Sequence, residues 1–226
     1  METLPFYVYL IFGITVLVAI MLFYKATNYS KSFLLLLFIW LIFQTIISLL
    51  GFYKVANTIP PRFGLLIIPP VILTIVRFNT NKGKQFVDGL SIKTLTLFHT
   101  IRIPVEIVLY WLCIHKAVPE ILTFEGRNFD IFSGLSAPFI YYFGFVKNKL
   151  NKTILLLWNF MCLGLLFNIA FNAILSLPSA FQQFAFEQPN VAILQFPFVL
   201  LPSILVPLVL FSHLASIRQL LYNKSI

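Results

Sequence analysis

The chain has 226 residues, of which 60% are hydrophobic and only 10% charged, with 16 Lys and Arg against 7 Asp and Glu. Soluble domains run near half apolar and a quarter charged, so water is the wrong solvent for most of this surface and a lipid bilayer is the expected one. The net charge of +9 does not mark a nucleic-acid binder, because the basic residues sit in short loops between apolar runs instead of on one polar face.

A spanning helix needs roughly 20 mostly apolar residues, and the pattern predicts seven spans, at about 5–24, 32–53, 60–77, 94–115, 130–147, 153–176 and 191–217. Such a chain is an all-α polytopic bundle, a single integral membrane domain over 1–226 with no room for a soluble one. Only Glu2 is charged ahead of the first span, so the basic start of a secretory signal is missing and a retained helix with its amino end outside is expected. The third span has a short apolar centre, Phe63–Val76, interrupted by Pro69 and Pro70. The fifth, Ile131–Val146, is also short, and Asp130 is placed to cap it. Prolines recur in the seventh span at Pro197, Pro202 and Pro207, which predicts bending or local unwinding there.

If all seven runs cross, one side carries Lys25, Lys31, Arg77, Lys82, Lys84, Lys93, Lys147, Lys149, Lys152, Arg218 and Lys224, and the other only Lys54, Arg62, Lys116 and Arg127. The basic side is expected to be cytoplasmic, which puts the amino end outside and the carboxyl end inside a cell inner membrane. The seven-helix count invites comparison with microbial rhodopsins, but no lysine occurs from Val191 to Ile217 to hold retinal. No H-E-x-x-H motif and no P-loop occurs, and Ser133-Gly134-Leu135-Ser136 lacks the frame of a G-x-S-x-G nucleophile.

Chemistry concentrates in the fourth span. At 100° per residue, Arg102, Glu106 and Tyr110 lie within 60° of His99, and Cys113 joins the arc. Ionisable groups cost several kcal/mol each in hydrocarbon unless paired or wet, so this face is expected to point into the bundle or a water-filled cavity. Arg102 and Glu106, one turn apart, are candidates to neutralise each other. Pro104 between them predicts a kink or a freed carbonyl at Thr100. In the sixth span, Asn168 and Asn172 form a second polar strip, expected to serve interhelical hydrogen bonding or substrate contact.

His99 and His213 lie at similar depths, which permits a weak alternative in which both ligate haem or a metal; a hydrogen-bonded or snorkelling His213 is the simpler expectation. Otherwise no metal site is predicted, and no cofactor is identified. The lone thiols Cys113 and Cys162 read as small hydrophobes. Three functions fit. The first is a small-solute transporter or permease whose binding or proton-coupling residues are His99, Arg102, Glu106, Tyr110, Asn168 and Asn172. The second is a membrane-embedded enzyme or cofactor carrier for a lipid-soluble substrate. The third is a non-catalytic subunit whose stripe pairs with a membrane partner.

Overall fold

A computed structural model describes residues 4–55 and 58–222; Glu2 and Lys224, which enter the charge asymmetry, lie outside them. Among the described residues there are eight helices, joined by loops and 3-10 turns, and no strand: α1 (Phe6–Ala26), α2 (Lys31–Leu49), α3 (Gly64–Asn79), α4 (Asn81–Asp88), α5 (Ile92–Ile114), α6 (Ile131–Val146), α7 (Lys152–Leu175) and α8 (Leu201–Tyr222). Five of them, α1, α2, α5, α7 and α8, are long and apolar enough to cross a membrane; α3 and α4, bent by 93° at Thr80, make a sixth if they count as one span. The chain is a multi-pass helical membrane protein.

Local sequence sets the boundaries. Side chains of Ser30, Thr80, Ser91 and Asn151 accept hydrogen bonds from the first turns of α2, α4, α5 and α7, satisfying amides that have no intrahelical partner. Helix α2 stops at Leu49, short of the expected Tyr53, because Gly51 takes a left-handed φ of 76° and turns the chain. The last helix begins at Leu201 instead of 191. Residues ahead of it are drawn into a loop, where the amides of Val191 and Ala192 both donate to the carbonyl of Ala117.

Burial follows a heptad-like stripe on α1, where Val8, Phe12, Ala19, Phe23 and Ala26 face the bundle while Phe6 and Met21 stay exposed. Apolar side chains on the outer faces of α1, α2 and α7 give the bundle a lipid-compatible exterior. Helix α6 lies tight on α5. A Cβ at Gly134 would sit 2.9 Å from Ile103 Cγ1 and 3.0 Å from its amide nitrogen, so only glycine allows this approach.

The prolines behave differently from the expected breaks. Helix α3 runs through Pro69 and Pro70 without interruption, and the carbonyl of Leu65, which Pro69 cannot reach, accepts from Gln44 Nε2 at 3.4 Å. In α8, Pro207 leaves the carbonyl of Ser203 free, and Trp40 Nε1 donates to it at 3.0 Å. Helix α2 therefore attaches to its neighbours by serving acceptors that proline releases. A π turn over Leu201–Leu205 absorbs Pro202. Near Pro104, α5 tightens into a 3-10 turn over His99–Ile101 and continues.

Contacts gather the basic loops at one end. Ser91 donates its amide to Ala26 O, Gln219 donates to the carbonyls of Val87 and Leu90, and Arg218 forms a two-pronged pair with Asp88 at 2.8 and 2.9 Å. Phe145, Leu150 and Leu155 cluster with Ile92 and Leu220 at the same end. At the opposite end, Gln188 donates to the carbonyls of Cys113 and Val118, and Asn168 donates to that of Arg127.

Candidate functional site

Arg102, at the second turn of the polar stripe, is 2% exposed and makes contacts with three other elements. Its Nη1 donates to Asp130 Oδ1 at 2.7 Å and more weakly to the carbonyl of Cys162 at 3.4 Å, while Nη2 lies 3.2 Å from His213 Nε2. Four elements thus converge on one guanidinium: α5, the start of α6, α7 and α8. The expected Arg102–Glu106 pair does not form. Asp130 takes the arginine from across the bundle, while Glu106 follows Arg102 on the same helix with the base N-terminal to the acid, the less favourable order for an i, i+4 pair. Engaged there, Asp130 does not cap α6 with its side chain. The Asp130 amide instead donates to Asn128 Oδ1.

Among the described residues Glu106 receives a single hydrogen bond, from Asn128 Nδ2 at 2.5 Å, and Asn128 is fixed in turn by donating to the carbonyl of Leu122. Thr123 ties the same loop with its hydroxyl on Glu120 O. The loop at 120–128 is thereby structured and packs beside Glu106 of α5. No cation pairs with Glu106 among the described residues.

His99 and His213 meet, but not as metal ligands. Their rings stack face to face, centroids 3.9 Å apart and planes 15° from parallel, and the edge of the Trp158 indole packs on His99. A haem held between two imidazoles needs their nitrogens to point at the iron from opposite sides, which stacked rings cannot do. Among the described residues no group of three or more His, Cys, Asp or Glu has metal-binding geometry. The weak metal alternative is set aside on this geometry.

Hydrogen bonding fixes the tautomers. A guanidinium can only donate, so His213 Nε2 accepts and its proton resides on Nδ1, which donates to Asn159 Oδ1 at 3.0 Å. The Asn159 amide orientation is consistent, because Nδ2 donates to Leu155 O. For His99 the choice turns on Ser212, whose hydroxyl lies 3.2 Å from His99 Nε2 and 3.3 Å from the carbonyl of Leu95. His99 Nδ1 is buried without a partner. A bare acceptor is tolerated there better than an orphaned N–H. His99 thus carries its proton on Nε2 and gives it to Ser212, which donates onward to Leu95.

The remaining expected residues lie elsewhere. Tyr110 is half-buried and stacks on Phe124 at 5.0 Å, clear of the cluster. Asn168 is exposed and bonded to Arg127 O, while Asn172 donates back to Asn168. These two strap α7 to the loop before α6 and do not reach the arginine. Cys113 is half-buried against Gln188. Conversely, Asp130, Asn128, Asn159 and Ser212 belong to the network and were not singled out as site residues. Asn159 carried a usable signal, since it is an asparagine in the middle of an apolar run beside Trp158.

No protein-family model, no curated protein and no solved structure matches this chain. The geometry must speak for itself.

Beside the network lies a cavity of about 130 Å³. Its wall is apolar, built from residues such as Phe63, Leu66, Leu166, Ala173 and Leu205, and is broken by Arg102, Glu106, Asp130 and Asn190. Helix α3 and the π turn of α8 contribute to it as well as the stripe on α5. His99 and His213 do not line it. The polar residues consequently divide into two sets, with a sealed brace of His99, His213, Asn159 and Ser212 behind Arg102 and a cavity wall in front.

The tautomers are directly testable. Solid-state 15N spectra of histidine-labelled protein in bilayers should show His213 protonated at Nδ1 and bare at Nε2, and His99 the reverse; assignment would use His99→Gln and His213→Gln. A doubly protonated ring at either site near neutral pH would contradict this hydrogen-bond assignment.

Proposed function

We propose that this chain is a seven-span carrier of a cell inner membrane, a single membrane domain that binds a small solute with an apolar body and a cationic end. One observation carries the reading. The cavity wall presents two carboxyl groups, Glu106 and Asp130, against one guanidinium, and Arg102 is already engaged by Asp130. Glu106 is left facing an apolar space with a hydrogen bond at only one of its oxygens among the described residues. A cationic group would complete it, and protonation would release that group, which is the elementary step of proton coupling.

The embedded-enzyme reading needs His99 and Glu106 at one reacting centre, yet only Glu106 borders the cavity. No contact favours a partner subunit over lipid on the outer faces. The carrier reading is therefore preferred.

The seven-span topology has support from the packing. The 52–63 segment is tied by Arg62 to Phe52 O at the start of α3, whereas α3 ends beside the basic loops; α6 likewise runs from the Asn128 loop to the Phe145 cluster. These contacts support reading both short helices as crossing spans. A reporter active only in the cytoplasm should then score positive when fused after Lys84 and Lys149 and negative after Glu125 and Gln188. A positive score at Glu125 would overturn the proposed orientation.

Binding can be probed with benzylammonium, benzyl alcohol and benzoate, three molecules of one shape and different charge. On a solid-supported membrane, a concentration jump of benzylammonium should displace charge in wild-type protein. Glu106→Gln should reduce the signal at least about tenfold, as expected when a close charge pair is lost. In thermal-shift measurements the ammonium should stabilise the protein most and benzoate least, and Ala173→Phe, which fills the cavity, should abolish all three effects. No stabilisation of wild type by any of the three, or full stabilisation surviving in Ala173→Phe, would sink the proposal.

A further inference from the structure

A second and larger space, about 430 Å³, opens between α2, α3 and α8, away from the polar network. Its wall is almost wholly apolar, with Phe33, Trp40, Leu73, Pro207 and Phe211 among its residues, and Arg77 is the one charged side chain on it. The hydrogen bond from Trp40 to Ser203 O bridges α2 and α8 at the deep end. At the mouth, the Arg77 guanidinium lies 5.1 Å from the centroid of Phe86, which stacks on Phe33 at 5.9 Å. Arg77 thus marks the end of the groove where the chain leaves the bundle.

The mouth has the character of a membrane interface. Helix α4 turns 93° away from α3 at this point, burying Gly83 and Val87 and carrying Lys82 and Lys84. A short amphipathic helix at such an angle is suited to lie along the headgroup region. The acid nearest in sequence, Asp88, is held by Arg218. Among the described residues Arg77 has neither a carboxylate partner nor a hydrogen-bond acceptor. From Phe33 to Phe43 the groove follows α2 for about 15 Å at 1.5 Å per residue, half of a hydrocarbon core of roughly 30 Å. Its depth is that of one leaflet.

We propose that this groove binds an acyl chain of an anionic phospholipid, with the lipid phosphate seated on Arg77. The fork of a guanidinium matches two phosphate oxygens, and the chain takes the place of apolar side chains that a tighter helix packing would supply. A zwitterionic lipid can offer the same chain but not the same net charge. This assignment is independent of the carrier reading, because it involves no residue of the cavity beside Glu106.

Native mass spectrometry of delipidated protein, given equimolar phosphatidylglycerol and phosphatidylcholine with matched chains, tests it. Wild type should retain phosphatidylglycerol over phosphatidylcholine by about fivefold, the preference expected of one basic group at a membrane surface. Arg77→Gln should bring the ratio to about one, Arg77→Lys should keep most of it, and Leu73→Trp, which obstructs the groove, should lower retention of both lipids. Inorganic phosphate in large excess should not displace the bound lipid, since it lacks the chain. Equal retention by wild type, a preference that survives Arg77→Gln, or displacement by inorganic phosphate would each overturn the proposal.

Discussion

A guanidinium 2% exposed in the middle of a lipid-facing bundle must draw its partners from the protein around it, and the arrangement around Arg102 answers that constraint. An isolated charge in so apolar a medium costs several kcal/mol, which no local helix preference can offset. Asp130 therefore has to come inward, although its position at the start of α6 would suit a cap. His213 has to present a bare Nε2, which in turn leaves its proton on Nδ1, where it is donated to Asn159 Oδ1. Each step uses a different helix. Arg102 consequently fixes the relative positions of α5, α6, α7 and α8, and the tight approach at Gly134 is the packing expression of the same demand.

A related constraint governs the periphery. Proline in a membrane helix releases a carbonyl that lipid cannot satisfy. Here α2 supplies the donors, through Gln44 to Leu65 O and Trp40 to Ser203 O, and otherwise leaves most of its surface exposed. Such a helix is held by a few directed bonds instead of continuous packing, and a groove remains beside it. Polar contacts thus do in the bilayer much of what apolar burial does in water, because association of apolar helices gains little over association with lipid tails.

Much of this was legible in the sequence. Apolar runs located six of the seven expected helices to within about four residues at each end, because a bilayer imposes length on them; α4 and the start of α8 were missed. The ends were less accurate where the signal was not apolarity: Gly51 ended α2 early, and the Ala117 carbonyl captured residues 191 and 192. The polar face of α5 was visible from spacing alone, and so was the burial of His99, Arg102 and Glu106. Their partners were not. Periodicity says which residues of one helix share a face, but it carries no information about which other helix arrives there, so Arg102 was matched with Glu106 on its own helix and Asp130 was read as a cap. Asn168 and Asn172 were drawn into the candidate site by the same limitation, since what they meet is Arg127 O and each other. From sequence, Pro69, Pro70 and Pro207 read as breaks or bends; that side chains of α2 would take the carbonyls of Leu65 and Ser203 is a tertiary fact.

The meeting of α5, α6, α7 and α8 depends on Arg102 and Asp130 being mutual partners, and a double-mutant cycle measures that coupling. Reversible unfolding in mixed micelles would be followed for wild type, Arg102→Met, Asp130→Asn and the combination. Each single change leaves a buried group uncompensated and should cost about 3–5 kcal/mol, while the double variant should be markedly less destabilised than the sum of the two. Strict additivity would mean that the two side chains do not interact, and would contradict the convergence of α5, α6, α7 and α8 on a single charge.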